Sequence, residues 1–409
     1  MKYGEAKKYL DSISQPQLLR YYDELDEAGK RRLLSQIEAT DFSVIKNLDE
    51  RTDLSGAGKK IEPISGLRLA DIEKRKEEFL SIGMEALREG KVGAVLLAGG
   101  QGTRLGFDGP KGAYDIGITK KLYIFEQQIR NIMEVVRCCG TYVPLYVMTS
   151  DLNHDETVSF WREHSYFSYP EEYIRFFVQD MAPVVSKDGK ALLATKDSVA
   201  LSPNGNGGWF GSMQRCGLLD DVRRRGVEWL NAYSVDNVLQ RIADPLFVGA
   251  TIASGCNCGA KVVCKNAPDE RVGVLCLEDG KPNIIEYYEM TEEMANLRDG
   301  NGELIYSYGV ILNYLFNVGK ALAVAEKKMP VHVVEKKVAC VDEHGNVIHP
   351  DAPNAYKFET LILDMVRLMD TCLPYEVVRE REFAPIKNAT GIDSVESARE
   401  LLQLNGVEL

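Results

Sequence analysis

VGAVLLAGGQGTRLGFDGPKG, residues 92–112, is the stretch that decides how this chain is read. The apolar run VGAVLLA has the length of a strand and passes directly into a loop holding Gly99, Gly100, Gly102, Gly106, Gly109 and Gly112. Glycine lets backbone N–H groups come close to an anion, and concave arrays of such groups bind phosphate oxygens well. Arg104 and Lys111 add positive charge where a triphosphate would lie. Two commoner phosphate motifs fail on spacing. Walker A needs G-x4-G-K-[ST], and the stretch has no glycine–lysine–hydroxyl triplet; a dinucleotide fingerprint begun at Gly100 and Gly102 meets Leu105 where its third glycine belongs.

Downstream, short apolar runs alternate with amphipathic stretches: KLYIFEQQIRNIMEVV (121–136), VPLYVMTS (143–150), DETVSFWREH (155–164) and RFFVQD (175–180). Strand-length runs separated by helical periods predict an open α/β sheet with mainly parallel strands. VEWLNAYSV (227–235), PLFVGATI (245–252), AKVVCK (260–265), RVGVLCLED (271–279) and PNIIEYYEM (282–290) read as further strands. Asp279 and Gly280 make a turn between the last two, so antiparallel pairing is expected there. Upstream, Leu18, Leu19, Tyr22 and Leu25 recur at helical spacing within a helical N-terminal region. Ser55, Gly56, Gly58 and Pro63 mark a loop before a helix over 69–89. Near the other end, VHVVEKKVACV (331–341) precedes helices predicted over 356–369 and 395–404. The linear reading is therefore a helical region (1–60), an α/β core (61–330) and a small C-terminal region (331–409).

Composition limits the function. The chain has 409 residues, 45% of them hydrophobic and 27% charged, with a net charge of −12. That balance suits a globular protein with a large core. It argues against broad affinity for nucleic acid or anionic membrane, which rests on clustered Lys and Arg, so an anionic ligand needs a local basic cluster. The opening MKYGEAKKYLDS is charged throughout, and no segment reaches the roughly 18 apolar residues of a membrane span. Nine scattered cysteines, among them the adjacent Cys138 and Cys139, suit a reducing compartment, and a cytoplasmic location is expected. Cys256, Cys258 and Cys264 lack the paired spacing and the nearby histidine of a zinc site.

The chain resembles the UDP-sugar pyrophosphorylases, most closely the eukaryotic-type UDP-N-acetylhexosamine branch. The family signature L-x-G-G-x-G-T-R-L-G, closely followed by P-K-G, is matched at 97–106 and 110–112. LLRYYDEL, FFVQDMAP, SPNGNGGWF, YSVDN, CGAKVV, VGVLC, IIEYYEM, YKFETLILD and EFAPIKN continue the resemblance in order over most of the chain. It implies an α/β, Rossmann-like (nucleotidyltransferase, GT-A-like) mixed sheet with flanking helices, a helical N-terminal arm and a small C-terminal α/β unit. The implied reaction joins UTP to a sugar 1-phosphate, N-acetylglucosamine 1-phosphate first among them, to give a UDP-sugar and pyrophosphate.

The resemblance also implies roles. Arg104, Lys111 and Lys387 become the catalytic cations. Leu97, Gly99, Gly100, Gly102, Thr103, Gln179, Gly205, Asn206 and Lys357 become nucleotide contacts, with Gln179 reading the base. Gly273, Glu286, Tyr287 and position 310 line the sugar pocket, and Asp236 holds Mg²⁺ (or Mn²⁺). Two of these assignments have independent chemical grounds: Asp236 ends an apolar run at the edge where α/β sheets bind ligands, and the amides of SPNGNGG suit the donors and acceptors of uracil. A phosphate monoester, with a second pKa of about 6, needs no general base, so five histidines suffice. One departure stands out: the family motif G-N-I-x-N reads here Gly309, Val310, Ile311, Leu312, Asn313. Loss of that amide predicts relaxed sugar choice, with glucose or galactose 1-phosphate also used. The rival readings are a catalytically inactive nucleotide-sugar-binding regulator and a dehydrogenase, and the latter already fails on its fingerprint. No nucleic-acid or membrane partner is expected, and the sequence leaves the oligomeric state open.

Overall fold

Six consecutive buried residues make Val92–Leu97 a strand paired on both edges, which is what an uninterrupted VGAVLL run demands. The computed structural model describes residues 1–48, 60–325, 327 and 329–409; the linker glycines Gly56 and Gly58 lie outside them. Two units emerge, one of Met1–Leu54, Gln179–Gly208 and Met329–Ile362, the other of Ser55–Val178, Trp209–Lys328 and Leu363–Leu409. Both are discontinuous in sequence, so they are drawn differently from the contiguous segments 1–60, 61–330 and 331–409.

The larger unit is built on a ten-stranded mixed sheet. Its strands are β1 (Ile61–Glu62), β2 (Val92–Leu97), β3 (Leu145–Thr149), β4 (Ile174–Val178), β5 (Trp229–Ser234), β6 (Cys258–Cys264), β7 (Val274–Glu278), β8 (Lys281–Ile285), β9 (Tyr308–Asn317) and β10 (Cys372–Glu376). Strands β5, β2, β3 and β4 run parallel in that order. The helices Ile124–Cys139 and His154–Glu163 connect β2 to β3 and β3 to β4, each burying an apolar stripe, as the crossover pattern predicts. The turn at Asp279 and Gly280 gives the expected antiparallel hairpin of β7 and β8. Strand β9 joins the two halves of the sheet, pairing antiparallel with β5 through 313–317 and with β7 at Gly309. Leu312 adopts φ 52° within β9, and the register with β6 shifts at that point. A bulge of this kind re-aims the residues on either side of it.

Three predicted elements differ. PLFVGATI is a helix, Pro245–Ser254, not a strand. Asp244 accepts the Leu246 N–H as its cap, Pro245 fills the first helical position, and Gly255 closes the end at φ 68°. Close packing completes the override: a Cβ at Gly249 would lie 1.8 Å from the Phe79 carbonyl, and one at Gly83 would lie 1.8 Å from that of Pro245. The segment 356–369 is divided between a strand, Ala355–Glu359, and a helix, Ile362–Leu368, where a single helix was expected. The helix over 69–89 is interrupted at Arg75 into Leu69–Lys74 and Lys76–Arg88.

The smaller unit packs the helices Tyr3–Ser12 and Glu27–Ala39 over a core that includes Leu10, Leu33, Ile37, Leu193 and Phe358. Its three-stranded antiparallel sheet places Ala355–Glu359 between His332–Lys336 and Val185–Ser186.

Candidate active site

The loop after β2 folds back on itself. Gly102 N–H donates to the Gly109 carbonyl at 2.9 Å and Lys111 N–H to that of Gly100 at 3.1 Å, closing the segment that carries Thr103 and Arg104. From the helix after β3, Asn153 reaches across: its Nδ2 donates to the carbonyls of Ala98 and Gly100 at 3.0 and 3.2 Å. Among the described residues no hydrogen bond uses the N–H groups of Gly99 or Gly100. A Cβ at Gly100 would meet nothing within 4 Å. Unused donors beside open space form the kind of cradle that a phosphate fills.

Three cations and one carboxylate stand at this loop. The Lys111 side chain is only 15% exposed, with Nζ 3.8 Å from Asp236 Oδ2. Burial holds its pKa below the ordinary lysine value; Asp236 pulls it up, while Arg104 and Lys387 push it down. Cations repelling one another around a buried ammonium are disfavoured until an anion arrives. Lys387 is 45% exposed and bonds through Nζ to Asp393 Oδ2 at 2.8 Å.

The segment bearing Asp236 hangs on uncharged amides. Gln128 Nε2 donates to the carbonyls of Val235 and Asn237 at 3.2 and 2.8 Å, and Gln240 Nε2 to those of Ser234 and Asn237 at 2.6 and 2.9 Å. Asn313 Nδ2 reaches Gln240 Oε1 at 3.3 Å, and Asn231 Nδ2 reaches Asn313 Oδ1 at 2.8 Å. These five amide residues lie in the buried interior. They fix a carboxylate without placing another charge beside it, which is how a preorganised polar site is supported. Asn237 also ties this segment to the one bearing Lys387: Nδ2 donates to the Glu382 carbonyl at 2.8 Å, and Oδ1 accepts from Ala384 N–H at 2.9 Å. Ile386 N–H donates to the Asp236 carbonyl at 2.9 Å. Arg104, Lys111, Asp236 and Lys387 thus gather although 283 residues separate the first from the last.

Among the described residues no set of three or more His, Cys, Asp or Glu could hold a metal ion. Asp236, partly exposed beside the open cradle, supplies one carboxylate. That donor set suits Mg²⁺, which accepts few protein oxygens and takes the rest from phosphates and water.

Beside the sheet, Gly273, Glu286 and Val310 come together. A Cβ at Gly273 would lie 3.5 Å from both Glu286 Oε1 and a Val310 methyl, and Val310 N–H donates to the Gly273 carbonyl at 2.9 Å. Tyr287 is exposed and packs edge-on against Tyr288.

The smaller unit holds Gln179, Gly205, Asn206 and Lys357. Gln179 is buried. Gly205 has φ 88°, and a Cβ there would stand 2.2 Å from the Thr360 carbonyl. Asn206 Oδ1 accepts from Ile362 N–H at 3.0 Å, which gives that side chain a capping role the sequence did not suggest. Lys357 lies on the central strand of the three-stranded sheet. Nearby, Ser202 Oγ and Asn204 Oδ1 are buried polar atoms with no partner among the described residues. Such atoms are rare unless water or a ligand completes them.

Sequence reading missed Asn153, Gln128 and Gln240, and met Asn313 only as the last residue of the motif that begins at Gly309. The signal was present in EQQIRN, where Gln127, Gln128 and Asn131 interrupt the apolar face of an otherwise amphipathic helix.

A family model described as UTP–glucose-1-phosphate uridylyltransferase matches residues 50–406. UDP-N-acetylhexosamine pyrophosphorylase-like protein 1 of Homo sapiens is 36% identical over 97% of this chain and 83% of its own length. UDP-N-acetylglucosamine pyrophosphorylase of Saccharomyces cerevisiae is 34% identical over 97% of this chain and 88% of its own. Among solved structures, the uridine diphosphate N-acetylglucosamine pyrophosphorylase of Trypanosoma brucei superimposes with a TM-score of 0.83 at 25% identity, covering 97% of this chain and 83% of that one.

Proposed function

Because the chain belongs to the UTP–glucose-1-phosphate uridylyltransferase family, we propose that it is a uridylyltransferase making a UDP-sugar and pyrophosphate from UTP and a sugar 1-phosphate, N-acetylglucosamine 1-phosphate foremost. The observation that carries this reading is the gathering of Arg104, Lys387 and Asp236 about Lys111, on a loop whose Gly99 and Gly100 N–H groups take no hydrogen bond among the described residues. Names of the relatives support the choice of sugar.

An oxygen of the sugar phosphate attacks the α-phosphorus of UTP in line; the new P–O bond forms as the bond to the β-phosphate oxygen breaks, and pyrophosphate leaves. The nucleophile is already ionised at neutral pH, so no proton has to be removed. The obstacle is to bring two polyanions together, and the protein's work is positioning and charge stabilisation. Lys111, strained as a cation in the free protein, gains most from the arriving phosphates. Asp236 would hold Mg²⁺, which would add charge neutralisation on the phosphates. In the smaller unit, Gln179 and the Gly205–Asn206 turn would read the base, and Lys357 would meet a phosphate.

Val310 beside Gly273 and Glu286 puts methyl groups where the family motif has an amide. A sugar hydroxyl left unpaired costs roughly 1–3 kcal/mol, so discrimination among sugars should weaken. A pyrophosphate-release assay with UTP tests both points. N-acetylglucosamine 1-phosphate should react, and glucose and galactose 1-phosphates should follow within about 100-fold. Val310→Asn should widen that gap without altering the preference for UTP. No release with any sugar phosphate would favour a binding regulator, and turnover of a hexose 1-phosphate alone would move the assignment to a simple hexose.

A further inference from the structure

Lys261 is buried completely, in the middle of β6. Its Nζ donates to Glu382 Oε2 at 2.5 Å and to the Arg241 carbonyl at 3.0 Å, with Asp244 Oδ2 3.5 Å away and the Phe247 ring beneath it. Glu382 Oε2 also accepts from Arg241 N–H at 3.4 Å. One ammonium therefore anchors two segments, one through a carboxylate and the other through a carbonyl. Those segments run side by side towards the candidate site. Along 236–241 and 382–387 they are joined by Val238 N–H to the Ala384 carbonyl (3.2 Å), Ala384 N–H to Asn237 Oδ1 (2.9 Å) and Ile386 N–H to the Asp236 carbonyl (2.9 Å). The anchor lies at one end, with Asp236 and Lys387 at the other.

A buried ion pair is a poor source of stability, because removing two charges from water costs about as much as their attraction returns. What it does well is specify one arrangement, since a shifted register leaves a buried charge unpaired. We propose that Lys261 and Glu382 are positioning residues for the transfer reaction: they set the register between the two segments and so the placing of Lys387 relative to Asp236. Neither residue touches substrate. The inference rests on the functional reading above.

The test replaces the pair together, Lys261→Met with Glu382→Leu; Asp244 keeps Arg241 as its partner, 3.7 Å away. Hydrogen exchange at the amides of Val238, Ala384 and Ile386 reads the join between the segments without reference to activity. Kinetics read its consequence. We expect a folded protein with those three amides exchanging at least about tenfold faster and the rest of the sheet unchanged. The kcat should fall by about tenfold or more, KM for UTP should stay within about threefold, and more Mg²⁺ should be needed for half-maximal rate. A purely structural role would lower thermal stability without this split between kcat and KM. If the double variant does not fold, Glu382→Gln, which keeps the shape, decides by the same readings. Unchanged exchange overturns the proposal, and so does faster exchange with natural kcat and Mg²⁺ dependence. If the natural protein releases no pyrophosphate, the functional reading falls, and the exchange result still decides whether the pair holds the segments.

Discussion

The molecule has two glycine-rich loops that look alike on paper and are packed in opposite ways. In 99–112 the space over Gly100 is open, the N–H groups of Gly99 and Gly100 are unused among the described residues, and Arg104 and Lys111 stand close by. In 202–208 there is no such space: Gly205 lies against the Thr360 carbonyl, Gly207 N–H donates to that same carbonyl at 2.9 Å, and Asn206 caps Ile362. In the first loop glycine leaves open space beside the backbone; in the second, Gly205 and Gly207 pack the turn against Thr360 and so fix the shape it would present to a base. Glycine density alone does not tell an open loop from a packed one; charge and emptiness around it do.

The comparison breaks first if the cations of the open loop prove idle. Lys111→Ala and Lys387→Ala should each lower kcat/KM at least ~100-fold, about 3 kcal/mol, as for a lost charged contact in a desolvated site. Steady-state kinetics with UTP would show it, and natural values for both would remove the clamp. Alanine at the two glycines then separates the loops. Gly205→Ala, at positive φ and against a backbone oxygen, should cost roughly 2–3 kcal/mol in denaturant unfolding. Gly100→Ala should leave stability within about 0.5 kcal/mol but raise KM for UTP about tenfold, because the methyl fills the cradle. Equal stability losses for the two would make the loops equivalent.

The smallest effects concern Lys111 in the ligand-free protein. Its native pKa lies below the unfolded value, so the native state sheds its proton first. The charged lysine therefore costs stability below the native pKa, and the cost is relieved as pH rises from there towards the ordinary lysine value. Lys111→Met should raise Tm at neutral pH by ~2–4 °C, and the gain should fade on the alkaline side. The same shift should place the alkaline fall of kcat/KM at lower pH than that of kcat, since bound triphosphate restores the charge. A thermal melt and a pH–rate profile, each run with and without the substitution, check these signs.

Much of the candidate site was legible where a motif is contiguous. Gly99 to Lys111 could be read because strand, loop and cations occupy twenty-one residues in a row. Asp236 was a candidate from its place at the end of an apolar run, and Lys387 only through a resemblance, since nothing in the sequence around it sets it apart from a surface lysine. Val310 was legible as a departure from a motif, but its closeness to Gly273 and Glu286 depends on the bulge at Leu312.

The sequence by itself determined the α/β class, the glycine-rich loop after its strand and the family, because hydrophobic period and short motifs are local properties that survive in any window of a dozen residues. Tertiary structure alone decided that 245–252 is a helix, where one cap and two opposed glycines outweigh a run of β-branched and apolar residues. It alone decided that Gln128 holds the Asp236 segment from more than a hundred residues away, and that Lys261 is buried against Glu382. Those partnerships satisfy polar groups that folding removes from water, and the identity of a partner follows from which strands lie side by side, which no window of sequence contains.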